Sequence, residues 1–203
     1  MAVNPATAEQ HGVGTSTGIS NAKLGVWAFL ASECLLFGAL ISTYLLYHDR
    51  TLPGTPTPRQ VYDIPYTSVS SFVLLMSSLT MVLALAAIQR GDQEKLRVWL
   101  MATALLGMTF IAGQVYEFTR FVQEGLTLKT NLFGTSFFVL TGFHGAHVTG
   151  GILMLLSLYG MSLDGRLPTE RAEVVELVGL YWHFVDVVWI VIFTVVYLIP
   201  TGK

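Results

Sequence analysis

The chain has 203 residues, of which 53% are hydrophobic and only 12% charged, with a formal net charge of −2. A soluble domain carries about 25% charged residues, so this composition excludes a solvated shell around a core, and the mean hydropathy of +0.60 points to lipid as the solvent. No basic patch addresses nucleic acid, and the single cysteine, Cys34, excludes a disulfide framework and a thiolate metal cage.

Residues 1–23 are rich in Gly, Ser, Thr and Ala without periodicity and read as a mobile polar tail. They lack the basic stretch, apolar core and cleavage site of a signal peptide, so the first helix is expected to act as its own insertion signal. The first apolar segment, 24–47, is broken only by Ser32, Glu33, Ser42 and Thr43. Residues 48–65 carry Pro53, Pro56, Pro58 and Pro65 and read as a loop. Four more apolar segments follow, at 66–88, 96–118, 133–161 and 177–199. Each exceeds the roughly 20 residues that cross about 30 Å of hydrocarbon. The predicted fold is therefore all-α, an integral membrane bundle of five transmembrane helices within 24–203.

With the N-terminus in the cytoplasm, Lys23, Arg90, Lys95, Arg97, Arg166 and Arg171 lie inside, and Arg50, Arg59, Arg120, Lys129 and Lys203 outside. This small positive-inside bias leans toward a cytoplasmic N-terminus and an external C-terminus.

An ionisable side chain in hydrocarbon costs about 2.5–3.5 kcal/mol on insertion scales, so each one needs a reason. The candidates are Glu33, His144, His147, His183 and Asp186, with Gln114 and Glu117 toward one helix end. Glu33 follows Leu24 by nine residues, roughly 14 Å into the membrane at 1.5 Å per residue. A carboxyl at that depth is expected in its neutral form, as a hydrogen-bonded packing group, a lipid-headgroup contact or a proton carrier. Counted from Phe133, His144 and His147 lie about 16 and 21 Å deep, so both reach the level of Glu33. His147 is the preferred partner, because it adjoins the small residues Ala146 and Gly150.

His183 and Asp186 share a helix face and read as a structural polar pair. His144 and His147 also share a face, yet two imidazoles one turn apart cannot sandwich a haem, whose axial ligands come from opposite sides. No metal site is expected. Gly142, Ala146 and Gly150, spaced by four, form a small-residue stripe read first as close helix packing within the chain, with a contact to another subunit as the alternative. Cys34 reads as a small packed hydrophobe.

The run Tyr181–Trp189 (YWHFVDVVW) and the run Phe133–Val148 (FGTSFFVLTGFHGAHV) resemble signatures of subunit III of the haem-copper respiratory oxidases. Ser32–Phe37 (SECLLF) and Gln114–Phe118 (QVYEF) agree, and the resemblance covers about residues 24–200 in the family's order. It implies a non-redox accessory subunit of a proton-pumping terminal oxidase in the bacterial inner membrane. Such subunits pack beside the catalytic subunit I, with subunit II and a small subunit IV as further members of the complex. The haem and copper belong to those partners, and this chain is expected to bind none. Phospholipid occupies a cleft between helix groups, and the subunit helps sustain proton uptake and catalytic lifetime. Glu33 matches the family's carbodiimide-reactive carboxyl. Many members have seven helices and this chain matches the last five, so one wall of that cleft is missing. In shortened bacterial members, extra helices of subunit I can fill the place.

Residue counts agree with a non-redox role. Subunit I needs about six intramembrane histidines for two haems and a copper, whereas the apolar segments here hold His144, His147 and His183. Cytochrome c is the expected electron donor, with a quinol oxidase of the bo type as the alternative. Glu33 leans toward the former, since some quinol-oxidase members carry aspartate there. A small proton-coupled transporter using Glu33 and Asp186 is disfavoured, because no inverted repeat is visible and no proline interrupts the middle of an apolar segment. The histidine spacing disfavours a di-haem cytochrome.

Overall fold

Polar residues just ahead of each apolar run start the first four long helices. Ser20 Oγ accepts from Lys23 N at 3.2 Å, and Asp63 Oδ1 accepts from Tyr66 N at 3.2 Å. Asp92 Oδ1 takes Lys95 N at 3.0 Å, and Asn131 Oδ1 takes Gly134 N at 2.6 Å. Each cap satisfies an amide that a first helical turn leaves free. The helices that follow are α1 (Asn21–Tyr47), α2 (Ile64–Gln89), α3 (Gln93–Gln123) and α4 (Leu132–Leu163). A 3₁₀ turn at Thr169–Arg171 leads into α5 (Ala172–Phe193), which continues as a π-helical turn through Thr194–Leu198. Gly91, Gly125 and Gly165 follow α2, α3 and α4 with φ of 75°, 89° and 69°, a left-handed turn that a Cβ would strain.

This computed structural model describes residues 18–48 and 63–198. Most of the predicted tail, residues 49–62 of the predicted loop and residues 199–203 lie outside the described residues. All described regular structure is helical, and five helices are long and apolar enough to cross a membrane. They overrun the apolar segments read from sequence. α1 starts at Asn21, inside the predicted tail, because Ser20 caps it there. α3 runs on from Phe118 to Gln123, where Arg120 pairs with Glu124 one turn later at 2.9 Å.

Successive long helices are antiparallel. α2 and α3 pair through Arg90, Gly91 and Asp92, α4 packs on α3, and α5 returns between α2 and α4. One side of the bundle, called the near side here, holds the start of α1, the α2–α3 turn and the α4–α5 connection. The far side holds the α1–α2 and α3–α4 connections. At the centre stands Trp182, fully buried. A Cβ on Gly107 of α3 or on Gly151 of α4 would lie 2.7 Å from its ring, so both positions require glycine for the helices to close around it. α1 is peripheral, resting on α4 and α5. Only 6% of its most apolar stretch is buried, against 39% for α2.

Candidate functional site

The intramembrane polar groups fall into separate seams. On the α1–α4 seam, Glu33 Oε2 lies 3.1 Å from His147 Nε2, with both side chains mostly buried. His147 Nδ1 is 2.7 Å from Phe143 O. A carbonyl can only accept, so Nδ1 carries hydrogen, and Nε2 faces the carboxyl. A bare Nε2 against a carboxylate would set two acceptors together. The pair therefore holds one proton between them, as carboxylic acid with imidazole or as carboxylate with imidazolium. Phe37 packs edge-on to the His147 ring at 5.1 Å, and the Tyr181 hydroxyl donates to His147 O at 2.9 Å. Closer to the near side, Lys23 Nζ pairs with Glu176 Oε1 at 2.5 Å and Ser20 bonds Glu173, tying the start of α1 to α5.

His144 takes a different direction from His147. It is fully buried, its Nε2–H points at Val185 O at 3.3 Å, and its ring lies 4.8 Å from Trp189 and 5.8 Å from Phe110. Among the described residues its Nδ1 has no hydrogen-bond partner. Three residues along α4 leave the two imidazoles about 60° apart around the helix axis, enough here for His144 to turn to α5 and His147 to α1.

Along the α2–α5 seam, hydroxyls of α2 receive the polar atoms of α5. Trp182 Nε1 donates to Ser77 Oγ at 2.9 Å, Trp189 Nε1 donates to Ser71 Oγ at 2.8 Å, and Ser78 Oγ meets His183 Nδ1 at 2.6 Å. The predicted His183–Asp186 pair is corrected here. His183 bonds across to Ser78, whereas the buried Asp186 oxygens have no hydrogen-bond partner among the described residues, with Ser78 beside them. The hydrogen-bond partner of His183 belongs to a facing helix, and the i, i+3 spacing alone does not aim one side chain at the other.

Toward the far side, Glu117 accepts from Thr67 Oγ1 at 2.7 Å, and Arg120 bridges Asp63 at 3.1 Å and Glu124 at 2.9 Å. The small-residue stripe also needs correction. A Cβ on Gly142 would meet nothing within 4 Å, Ala146 is exposed, and Gly150 makes only an ordinary contact with Tyr181 Oη. The close approaches on α4 are at Gly145, where a Cβ would lie 2.8 Å from Gln114 Oε1, and at Gly151. Spacing by four identifies a common face but not the neighbour it meets. Cys34 is exposed on the outer face of α1 rather than packed. Among the described residues no cluster of three His, Cys, Asp or Glu side chains is placed to hold a metal ion.

Sequence reading passed over Tyr181 and the serines of α2. Their signal was present: Trp182 and Trp189 stand seven residues apart and their acceptors Ser77 and Ser71 six, so donors and hydroxyls recur at nearly matching intervals on two apolar helices.

Five membrane-length helices, with most intramembrane polar groups bonded to one another, define a multi-pass integral membrane protein. The model of the family described as cytochrome c oxidase subunit III matches residues 4–200, and the chain belongs to that family. It is 40% identical over 178 residues to cytochrome c oxidase subunit 3 of Bacillus sp. (strain PS3), covering 88% of this chain and 86% of the relative. It is 37% identical over 179 residues to quinol oxidase subunit 3 of Bacillus subtilis (strain 168), covering 88% and 87%. To cytochrome bo(3) ubiquinol oxidase subunit 3 of Pseudomonas aeruginosa it is 36% identical over 178 residues, covering 88% and 85%. These relatives are thus short members of similar extent.

Proposed function

We propose that this subunit III acts as a non-redox support in a bacterial haem-copper terminal oxidase that receives electrons from cytochrome c. It lies directly against subunit I, with subunit II nearby and the N-terminus in the cytoplasm. The family match over nearly the whole chain carries this reading. The haem and copper belong to the partner subunits. The Glu33–His147 pair supports a role in holding α1 and in proton handling, because its geometry keeps one exchangeable proton in the membrane. Phospholipid is proposed along α1 and α2, whose Leu24, Trp27, Leu35, Val69 and Phe72 are large, apolar and exposed.

The test is to purify the complex through a tag on this chain and record its optical spectrum and oxygen uptake. Haem absorbance and oxidation of reduced cytochrome c are expected. Gentle depletion of the chain should leave the haem spectrum and initial rate nearly intact while turnover decays faster. Immediate loss of haem reduction would overturn the supportive role. A quinol donor is the second reading, favoured by the quinol oxidase subunits among the relatives. Uptake driven by quinol and not by cytochrome c would select it.

A further inference from the structure

Asp186 stands fourteen residues into α5, about 21 Å from its start at 1.5 Å per residue, and so near the middle of the hydrocarbon. It is 3% exposed, and neither carboxyl oxygen has a hydrogen-bond partner among the described residues. The indole donors on its own face of α5 are spent elsewhere. Trp182, one turn before, bonds Ser77, and Trp189, one turn after, bonds Ser71. Ser78 of α2 lies beside the carboxyl, and its hydroxyl is 2.6 Å from His183 Nδ1. Ser78 and His183 are half-buried, so the two lead from the enclosed acid toward the bundle surface. The other titratable groups packed around α5 at this depth are engaged apart from it. His144 of α4 bonds Val185 O, Glu33 of α1 bonds His147 of α4, and the Tyr181 hydroxyl bonds His147 O.

We propose that Asp186, Ser78 and His183 form a second proton-holding site in the membrane, separate from the Glu33–His147 pair, with the Ser78 hydroxyl as the relay between acid and imidazole. A carboxylate in hydrocarbon without a donor or a cation is costly, so the resting form is the acid. Its O–H donates to Ser78 Oγ, and the Ser78 O–H donates to His183 Nδ1, which leaves hydrogen on Nε2. Transfer moves two protons in one direction. The Asp186 O–H bond breaks as Ser78 Oγ takes that proton, and Ser78 passes its own to Nδ1. Asp186 becomes carboxylate, His183 becomes imidazolium, and the Ser78 hydroxyl is restored, now donating to the carboxylate. By this route the buried acid exchanges its proton without opening the α2–α5 seam.

Infrared spectroscopy of the full chain in lipid vesicles tests the site. At neutral pH a carboxylic-acid C=O band is expected that disappears in Asp186→Asn. Aspartate labelled at the carboxyl carbon should shift the same band in the wild-type chain, a check that needs no variant. Loss or shift of carboxylate bands alone overturns the proton-holding site. In heavy water the Asp186 band should shift further as its proton exchanges. Ser78→Ala should slow that exchange about a hundredfold, the lower end of what a positioned proton-transfer group contributes. Ser78→Thr keeps a hydroxyl and should restore the rate. His183→Phe, which keeps a ring and removes the terminal acceptor, should slow exchange as Ser78→Ala does. Exchange at the wild-type rate in either Ser78→Ala or His183→Phe overturns the relay.

Discussion

Between α2 and α5, indole and imidazole nitrogens of one helix meet serine hydroxyls of the other at three places, around the packed ring of Trp182. Between α1 and α4, a single pair with one shared proton holds the middle of the membrane, and Phe37 and Tyr44 are the buried side chains of α1. Lipid tails are as apolar as leucine, so there is no hydrophobic drive between helices in the bilayer. A helix with a broad packed face is held by dispersion and ordinary hydrogen bonds. One with a narrow face depends on a few polar contacts, and that makes α1 the separable element.

Trp182→Ala attacks the packed seam and has the largest expected effect. It removes the ring that fills the space beside Gly107 and Gly151, at a cost of about 3 kcal/mol to the whole bundle. Unfolding of the purified chain in mixed micelles should shift accordingly, and an unchanged midpoint would show that the centre can repack. Gly151→Ala should cost less, about 1–3 kcal/mol, by pressing a methyl onto the same ring.

Glu33→Leu should act on α1 alone. It leaves His147 Nε2 without its partner, worth about 1–3 kcal/mol, so α1 amides should exchange faster while α2–α5 stay protected. Glu33→Gln keeps an N–H donor for that nitrogen and should keep α1 docked. Equal loosening by both variants would show that the pair does not hold the helix.

Ser71→Ala deprives the Trp189 indole of its acceptor, a loss of about 1 kcal/mol, read in the same micelle unfolding. The smallest effect concerns Asp92, outside the membrane. Its carboxyl is held below the ordinary aspartate range by the side-chain hydrogen bond with Lys95 and then by the Lys95 amide. A depressed folded value means that the contribution is present above the unfolded value and is lost as pH falls through the folded one. First-turn amides of α3 should therefore loosen only in acid, below about pH 4. Asp92→Asn should keep the cap and lose that pH dependence.

Much of this was legible before any coordinates. Apolar runs and their lengths yield five helices, and the motifs around Glu33, His144 and Asp186 yield the family. Helix ends were less legible, because hydropathy stops at the membrane surface while caps such as Ser20 and pairs such as Arg120–Glu124 carry helices beyond it. Partners across helices were the least legible. Asp186 and His183 share a face in sequence, yet it is Ser78 of α2 that His183 bonds.

By itself the sequence determined the number of spans and the membrane as solvent. Hydrocarbon thickness and a rise of 1.5 Å per residue leave little freedom there. Only the tertiary structure decided azimuth. It turned Gly142 and Ala146 outward, put Gly145 against Gln114 and Gly151 against Trp182, and sent His147 and His144 to different neighbours. Rotation about a helix axis is set by every neighbour's side chains at once, and no spacing within one helix contains that information.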